Sequence, residues 1–328
     1  MVQSAAKLVQ SLNSAQLKKL AIACGVASSG TKTVLAQRLE ATAQALAQNK
    51  SVSASDKGIL SIDMGIRNLA FAYLVAPASR ARNKRSLVGV NAPVPNVDVK
   101  LWNRMVLADP QLGQEAHVEE ARWSPSYMAD MTLDLVQNVL LGPENPPAYI
   151  LIERQRFRSG GGSAVQEWTL RVNTFEAMLY STLRTLKSCG RWSGQVIPIS
   201  PQRVGPFWLE GAAHTELSKP VSSKSELGKV TKAKQKKAKI DLVGNWLQDG
   251  KIVPSGQAQV TATSYLERWN GKRTRKSRDE TESVQERLQK LDDLADSLLQ
   301  GLAWIKWQDN IRLLDKDGPE ALLEEAAP

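Results

Sequence analysis

Two short apolar runs each end in a carboxylate: Gly58-Ile59-Leu60-Ser61-Ile62-Asp63 and Tyr149-Ile150-Leu151-Ile152-Glu153. Runs of this length predict buried strands. Between and after them lie further periodic segments. Leu69 to Val75 and Val97 to Leu107 read as strands. Ser124-Pro125 is a helix start, since serine caps and proline suits the first turn. Met128, Met131, Leu135 and Val139 continue that helix, and Gly142-Pro143 ends it. Val165, Trp168, Val172, Phe175, Leu179, Leu183 and Leu186 mark a long helix, and Gln195 to Ile199 a fifth strand. Lys229 to Leu247 can be helical. Leu288 to Trp307 is a last strong helix, with Trp304 and Trp307 read as core. The order β, β, β, α, β, α, β followed by helices predicts an α/β fold, a mixed five-stranded sheet flanked by helices.

The last helix carries Asp292-Asp293-Leu294-Ala295-Asp296. At about 100° per residue, Asp296 lies roughly 40° from Asp292 and roughly 60° from Asp293 around the helix, so either pair projects together. If the fold sets this helix beside the strand ends, Asp63, Glu153 and the helix aspartates converge. Clustered like charges repel unless cations neutralise them. Hard oxygen ligands select Mg2+ or Mn2+, and two such ions can activate water and stabilise the leaving oxygen of a phosphodiester. The competing reading of each acid alone is a turn, a cap or an exposed helix face.

Charge points to the partner. The 328 residues carry 43 basic and 33 acidic side chains, a formal net of +10, which suits a polyanion such as nucleic acid. The excess is clustered. Residues 1–39 hold five bases and no acid; 219–239 hold eight lysines against Glu226; 268–278 hold six bases and no acid. A shorter group, Arg80, Arg82, Lys84 and Arg85, lies ahead of Pro93. The tail from Asp309 reverses sign and reads as a solubilising end. Two cysteines and two histidines make a disulfide framework or a tetrahedral zinc site improbable. No uncharged apolar run of 18 residues occurs, so no membrane span is expected.

The first forty residues read as two short helices. The first begins at Ser14 as cap and stops at Gly25 in a left-handed turn; the second follows Gly30-Thr31-Lys32 and ends near Leu39. Leu17, Leu20, Gly25, Ser29, Gly30, Lys32, Leu35, Arg38 and Leu39 resemble the SAP module, a helical unit that binds duplex DNA. A generic helical cap or a basic targeting segment stands beside that reading. The expected organisation is a SAP-like module over 1–40, a linker or helical extension over 41–57, a nuclease domain over 58–308 with a basic insertion at about 215–280, and an acidic tail over 309–328.

Three blocks taken together, Ser61 to Asn68, Ile152-Glu153-Arg154-Gln155-Arg156 and Asp292 to Gln300, resemble the fungal mitochondrial Holliday-junction resolvases, relatives of bacterial RuvC. The resemblance implies a ribonuclease-H-like fold and a homodimeric, Mg2+-dependent endonuclease that nicks opposed strands of a four-way DNA junction in mitochondria, with two ions per site and Mn2+ able to substitute. It places Asp63 and Glu153 at the first two acidic positions and Asp293 and Asp296 on the helix, with Asp292 as the alternative to Asp293. No small-molecule cofactor is expected. The expected DNA contacts are Lys18, Lys19, Lys32, Arg38, Arg67, Arg154, Arg156, Arg158, Lys234, Lys236, Lys237, Lys239, Arg273 and Arg275. One of the three arginines after Glu153 could instead pair with an acid, and Phe157 reads either as a wedge at the junction centre or as core. A ribonuclease-H-like nuclease acting on RNA–DNA hybrids, and a non-catalytic DNA binder, are the alternative functions.

Overall fold

A computed structural model describes residues 7–8, 11–48, 57–76, 92–107, 123–142, 146–155, 167–209, 224–271 and 284–323. The expectations for Arg80, Arg82, Lys84, Arg85, Arg156, Phe157, Arg158, Arg273 and Arg275 lie outside these residues. Six strands form one sheet: β1 Gly58–Asp63, β2 Leu69–Val75, β3 Asp98–Met105, β4 Tyr149–Glu153, β5 Gln195–Ile199 and β6 Val253–Pro254. Their order is β5-β4-β1-β2-β3-β6. Strands β1, β2 and β3 are antiparallel neighbours, whereas β4 runs parallel to both β1 and β5. The sixth strand is the one element of the sheet missing from the sequence reading. It is two residues long and pairs Val253 and Pro254 with Asp98 and Val99, too short to leave a periodic signal.

Alternation along the strands divides the core into two layers. Leu60, Ile62, Phe71, Tyr73, Ile150 and Ile152 pack on one face. Helices α3 (Pro125–Asp134) and α4 (Glu167–Ser188) cover that face, with Phe175, Leu179 and Leu183 fully buried. Ser124 caps α3, its hydroxyl accepting from Tyr127 N, and Pro125 sits in the first turn. After Asp134 the helix widens into a π turn over Leu135–Leu140.

Ile59, Ala72, Leu74, Val99, Trp102, Tyr149 and Leu151 face the other way. Above them lie α5 (Pro201–Leu209), α6 (Lys224–Gln248), α7 (Gln257–Trp269) and α8 (Val284–Asp317). Helix α8 lies against the sheet because Gly301 lets it: a Cβ there would stand 2.5 Å from Leu74 Cδ1 and 3.1 Å from Ser61 Cβ. Two indoles pin its backbone, Trp102 Nε1 donating to Leu294 O at 3.0 Å and Trp208 Nε1 to Leu299 O at 2.9 Å. Trp304 and Trp307 are buried, as expected, against Tyr149 and Phe207.

Two helices precede the sheet, α1 (Ser14–Ala23) and α2 (Lys32–Gln48). The cap of α1 is Asn13, not Ser14: Asn13 Oδ1 accepts from Gln16 N at 2.9 Å, and Gln16 Oε1 accepts from Asn13 N at 2.8 Å. That reciprocal pair satisfies two helix-end donors, which a Ser14 cap would not do. Gly25 makes the left-handed stop at φ 64°. Helix α2 runs on past Leu39 to Gln48, so the helical-extension reading of 41–57 holds that far. Nor does α8 stop at Trp307: it continues to Asp317, and α9 (Glu320–Leu323) follows. Ile311, Leu314 and Leu322 are buried with Leu17, Leu20, Leu35 and Leu39. The described part of the expected solvated tail is therefore a packed element. Asp317 and Glu320 are exposed beside a stripe of buried apolar side chains, a pattern that net charge alone does not show.

Candidate active site

Asp63 and Glu153 meet for a reason visible in the register. In β1, residues 59, 61 and 63 share a face; in β4, residues 149, 151 and 153 do. The parallel pairing sets Ser61 opposite Leu151 and Ile62 opposite Ile152, which carries Asp63 to Glu153 at the strand ends. Neighbouring strands lie about 4.8 Å apart, so the two side chains must lie close. Both line one cavity, close enough for Glu153 to act on the Asp63 carboxyl. Burial, and then the neighbouring Glu153, Asp296 and Asp293, hold Asp63 well above the usual carboxylate range.

Helix α8 supplies the other acids on the stripe Asp293, Asp296, Gln300. Gln300 fixes the rotation of that stripe: its buried Nε2 donates to Ser61 Oγ and Ile62 O, both at 3.1 Å. Asp296 lines a cavity of about 120 Å³ with Asp63, Glu153, Gln235, Lys239 and Gln300. Burial pushes Asp296 up to about 7; Lys239 opposes this, while Asp292 and Glu153 add to it. Burial likewise raises Asp293 to about 6, partly offset by Arg104.

Three basic side chains are interleaved with these acids. Lys239 Nζ sits 2.5 Å from both oxygens of Asp296 and 3.2 Å from Asp292 Oδ1. Lys236 Nζ stands 2.6 Å from Asp292 Oδ2. Arg104 Nε donates to Asp293 Oδ2 at 3.0 Å, and its Nη2 donates to Asn68 Oδ1. Desolvation pulls Lys239 down, yet Asp296 and Asp292 outweigh it and drive the ammonium upward. Among the described residues no three acidic side chains already enclose one point. Asp292, 5 % exposed, is tied to Lys236 and Lys239, while Asp293 and Asp296 are the helix charges that act on Asp63.

The donor set fits hard divalent cations: it is all oxygen, anionic, and forced to share protons when no cation neutralises it. Raised carboxyl pKa values mean that the fold binds more protons than the unfolded chain between about pH 4 and about pH 7. Metal-free stability is then greatest below the unfolded pKa and falls as pH rises through that window. Thermal unfolding is expected to show this fall, with saturating Mn2+ raising the midpoint far more at pH 8 than at pH 5. An increment independent of pH would contradict the site.

The expected DNA-contact residues divide. Lys18, Arg67, Arg154, Lys234 and Lys237 are exposed. Arg67 stacks on Trp168, 4.4 Å from the ring centroid. Arg38 holds a loop, donating to Ala27 O and Ser29 O. Lys19 and Lys32 are half-buried. Lys236, itself exposed, and half-buried Lys239, both expected on junction arms, also reach the helix acids. The sequence reading missed Arg104, Lys239 as a site residue, and Gln300. Their signals exist: Arg104 shares the strand parity of Trp102, and Lys239 stands on the stripe of Val243 and Trp246.

Fold and acids together define the class, a ribonuclease-H-like α/β domain with carboxylates at the ends of its central strands. The family model described as "Mitochondrial resolvase Ydc2 / RNA splicing MRS1" matches residues 59–314, and the chain belongs to that family. The mitochondrial cruciform cutting endonuclease 1 of Schizosaccharomyces pombe is 28% identical over 258 residues, covering 77% of this chain and 80% of the relative. The protein of the same name from Saccharomyces cerevisiae is 24% identical over 321 residues, covering 92% and 83%. The crystal structure of the yeast mitochondrial Holliday junction resolvase Ydc2 superposes with a TM-score of 0.55 at 22% identity, over 94% of this chain and 99% of that one, and shows the shared fold.

Proposed function

We propose that this chain is a structure-selective DNA endonuclease that resolves four-way junctions by paired symmetric nicks, as a homodimer in mitochondria. The observation that carries the reading is the closeness of Asp63 to Glu153 beneath Asp293 and Asp296, inside a protein of net charge +10. A non-catalytic binder has no use for half-buried, clustered carboxylates that weaken its hold on a polyanion. The family description also covers an RNA-splicing protein, and these acids favour the nuclease side of it.

Asp63, Glu153, Asp293 and Asp296 are the residues that would hold two Mg2+ ions. When bound, the ions supply Lewis-acid stabilisation of the phosphodiester and an activated water. The protein's own part is positional. Parallel strands fix Asp63 against Glu153, and Gln300 and the indoles fix the helix that carries the other two acids. Lys239 and Arg104 neutralise those acids in the metal-free state. Exposed Arg154, directly after Glu153, is placed to meet a phosphate beside the cut. A junction has approximate twofold symmetry, and a twofold dimer presents two equivalent sites to it.

The test is cleavage of a mobile junction, a linear duplex and an RNA–DNA hybrid with Mg2+, Mn2+ or chelator. Symmetric nicks in the junction alone, bearing 5′-phosphates and requiring a divalent ion, are expected. Preference for the hybrid would shift the assignment to a ribonuclease, and junction binding without cutting under any ion would make the chain a binder.

The lysine helix gives a separate expectation. Lys234, Lys236 and Lys237 are exposed, and Lys236 and Lys239 also pair with acids of α8. Changing Lys234 and Lys237 to Gln should reduce the slope of log affinity against log salt by about 1.8, at about 0.9 per phosphate contact on duplex DNA. An unchanged slope would leave both lysines as solvated surface.

A further inference from the structure

A second cavity, of about 270 Å³, opens between the loop that follows α1 and the start of α5. Its lining includes Ser28, Ser29, Ser200, Gln202 and Arg203. We propose that it binds a backbone phosphate of the same DNA strand whose neighbouring phosphodiester enters the carboxylate cleft. This rests on the nuclease reading above and adds a site, with Arg203 as its central residue.

The lining is mixed: Ile22, Val26, Ala27 and Pro206 are apolar, and Arg203 is its one charged side chain. Arg203 Nη1 donates to Gly25 O at 3.1 Å, and Arg38 Nη1 donates to Ala27 O at 3.2 Å and Ser29 O at 2.5 Å. Each guanidinium carries five N–H donors, and these bonds engage one nitrogen of each. Arg38 and Arg154 both lie close enough to act on Arg203, and both of those charges are positive. Of the three, Arg203 alone lines the cavity; Arg38 and Arg154 add positive charge around it, which an anion bound there would offset. A phosphate oxygen accepts from such a fork with charge-assisted geometry.

Placement ties the cavity to the cut. Helix α5 is the wall between the two cavities: Pro201, Val204, Gly205 and Leu209 line the carboxylate side, and Gln202, Arg203 and Pro206 the other. A helix is about 10–12 Å across with its side chains. At about 3.4 Å of duplex axis per nucleotide of one strand, that wall spans up to about three nucleotides. Arg154, adjacent to Glu153 and close to Arg203, bridges the interval. The N-terminal helices thereby set the register of the strand in the cleft through a contact that reads no base.

The experiment is a scan of single neutral methylphosphonate linkages across the five positions on either side of the junction's exchange point, where the cut is expected, measured as junction binding in Ca2+ by the full chain and by Arg203→Gln. One position up to about three nucleotides from the cut should weaken wild-type binding about tenfold, the scale of a hydrogen bond to a charged group. The same linkage should cost Arg203→Gln nothing further, and Arg203→Lys should restore most of the coupling. Equal effects in wild type and Arg203→Gln at every position would overturn the proposal, as would a wild-type scan with no sensitive position there. A wild-type chain that binds junctions but never cuts them would overturn the nuclease reading while the scan still decided the pocket.

Discussion

Asp63→Asn should bind a four-way junction as tightly as the wild type and cut it at least about a thousandfold more slowly. Losing one anionic ligand forfeits several kcal/mol of charge stabilisation at the reacting phosphate, and each 1.36 kcal/mol is about a tenfold change in rate. The same substitution should make the metal-free protein more stable. Asp63 is held well above the usual carboxylate range by burial and by the neighbouring Glu153, Asp296 and Asp293. An amide of the same shape removes that repulsion. The sign follows from the raised pKa: ionising Asp63 costs the folded state more as pH rises, so the gain in midpoint should be small at pH 5 and larger at pH 8. Melting curves without metal at the two pH values, beside single-turnover cleavage, decide the point. Retained Mg2+-dependent nicking, or a midpoint lowered at pH 8, would each count against the assignment.

Gly301→Val should cost both fold and activity. Its first added carbon meets Leu74 Cδ1 at 2.5 Å and Ser61 Cβ at 3.1 Å. Leu74 can yield a little, but Ser61 belongs to a central strand and cannot. Overpacking a tight core typically costs about 1–3 kcal/mol. Lifting α8 also strains the bonds from Gln300 to Ser61 and Ile62, and an unsatisfied buried amide adds about 1–3 kcal/mol. At about 2–4 °C per kcal/mol, the expected loss in melting temperature is on the order of 10 °C. Cleavage at a temperature where the variant is still folded should fall too, because Asp293 and Asp296 ride on the displaced helix. Full activity per folded molecule would show that the carboxylates need no such close seating.

The strand half of the site was legible because a period of two carries its own geometry. A carboxylate ending a short buried run must lie at the sheet's edge, and two such runs in parallel neighbours must bring their carboxylates together. The helix half was legible only to within one residue. Three aspartates in five positions leave the rotation of α8 open, and that rotation is set by Gln300, Gly301 and the indoles of Trp102 and Trp208, all tertiary contacts. Lys239 and Arg104 were hidden for another reason. Lys239 closes a run of lysines that composition reads as solvated, and Arg104 stands on an irregular, half-exposed strand. Helix α5 leaves no periodic signal because Pro201, Gly205 and Pro206 break its pattern, yet its proline at N1 is a helix start. Helix α7, rich in Thr and Gln, shows little apolar stripe beyond Ala258, Ala262 and Tyr265.

Helix α8 spans 34 residues without a break. From Asp292 beside the cleft to Ile311 beneath α1 and α2 is nineteen steps, about 28 Å at 1.5 Å each. The leading helix pair is thus bolted to the far end of the beam that carries two of the acids, rather than trailing on a tether. A pull on DNA gripped at that end would be transmitted along the beam to the scissile linkage, so trimming the pair away would blunt the cutting step as well as loosen the grip.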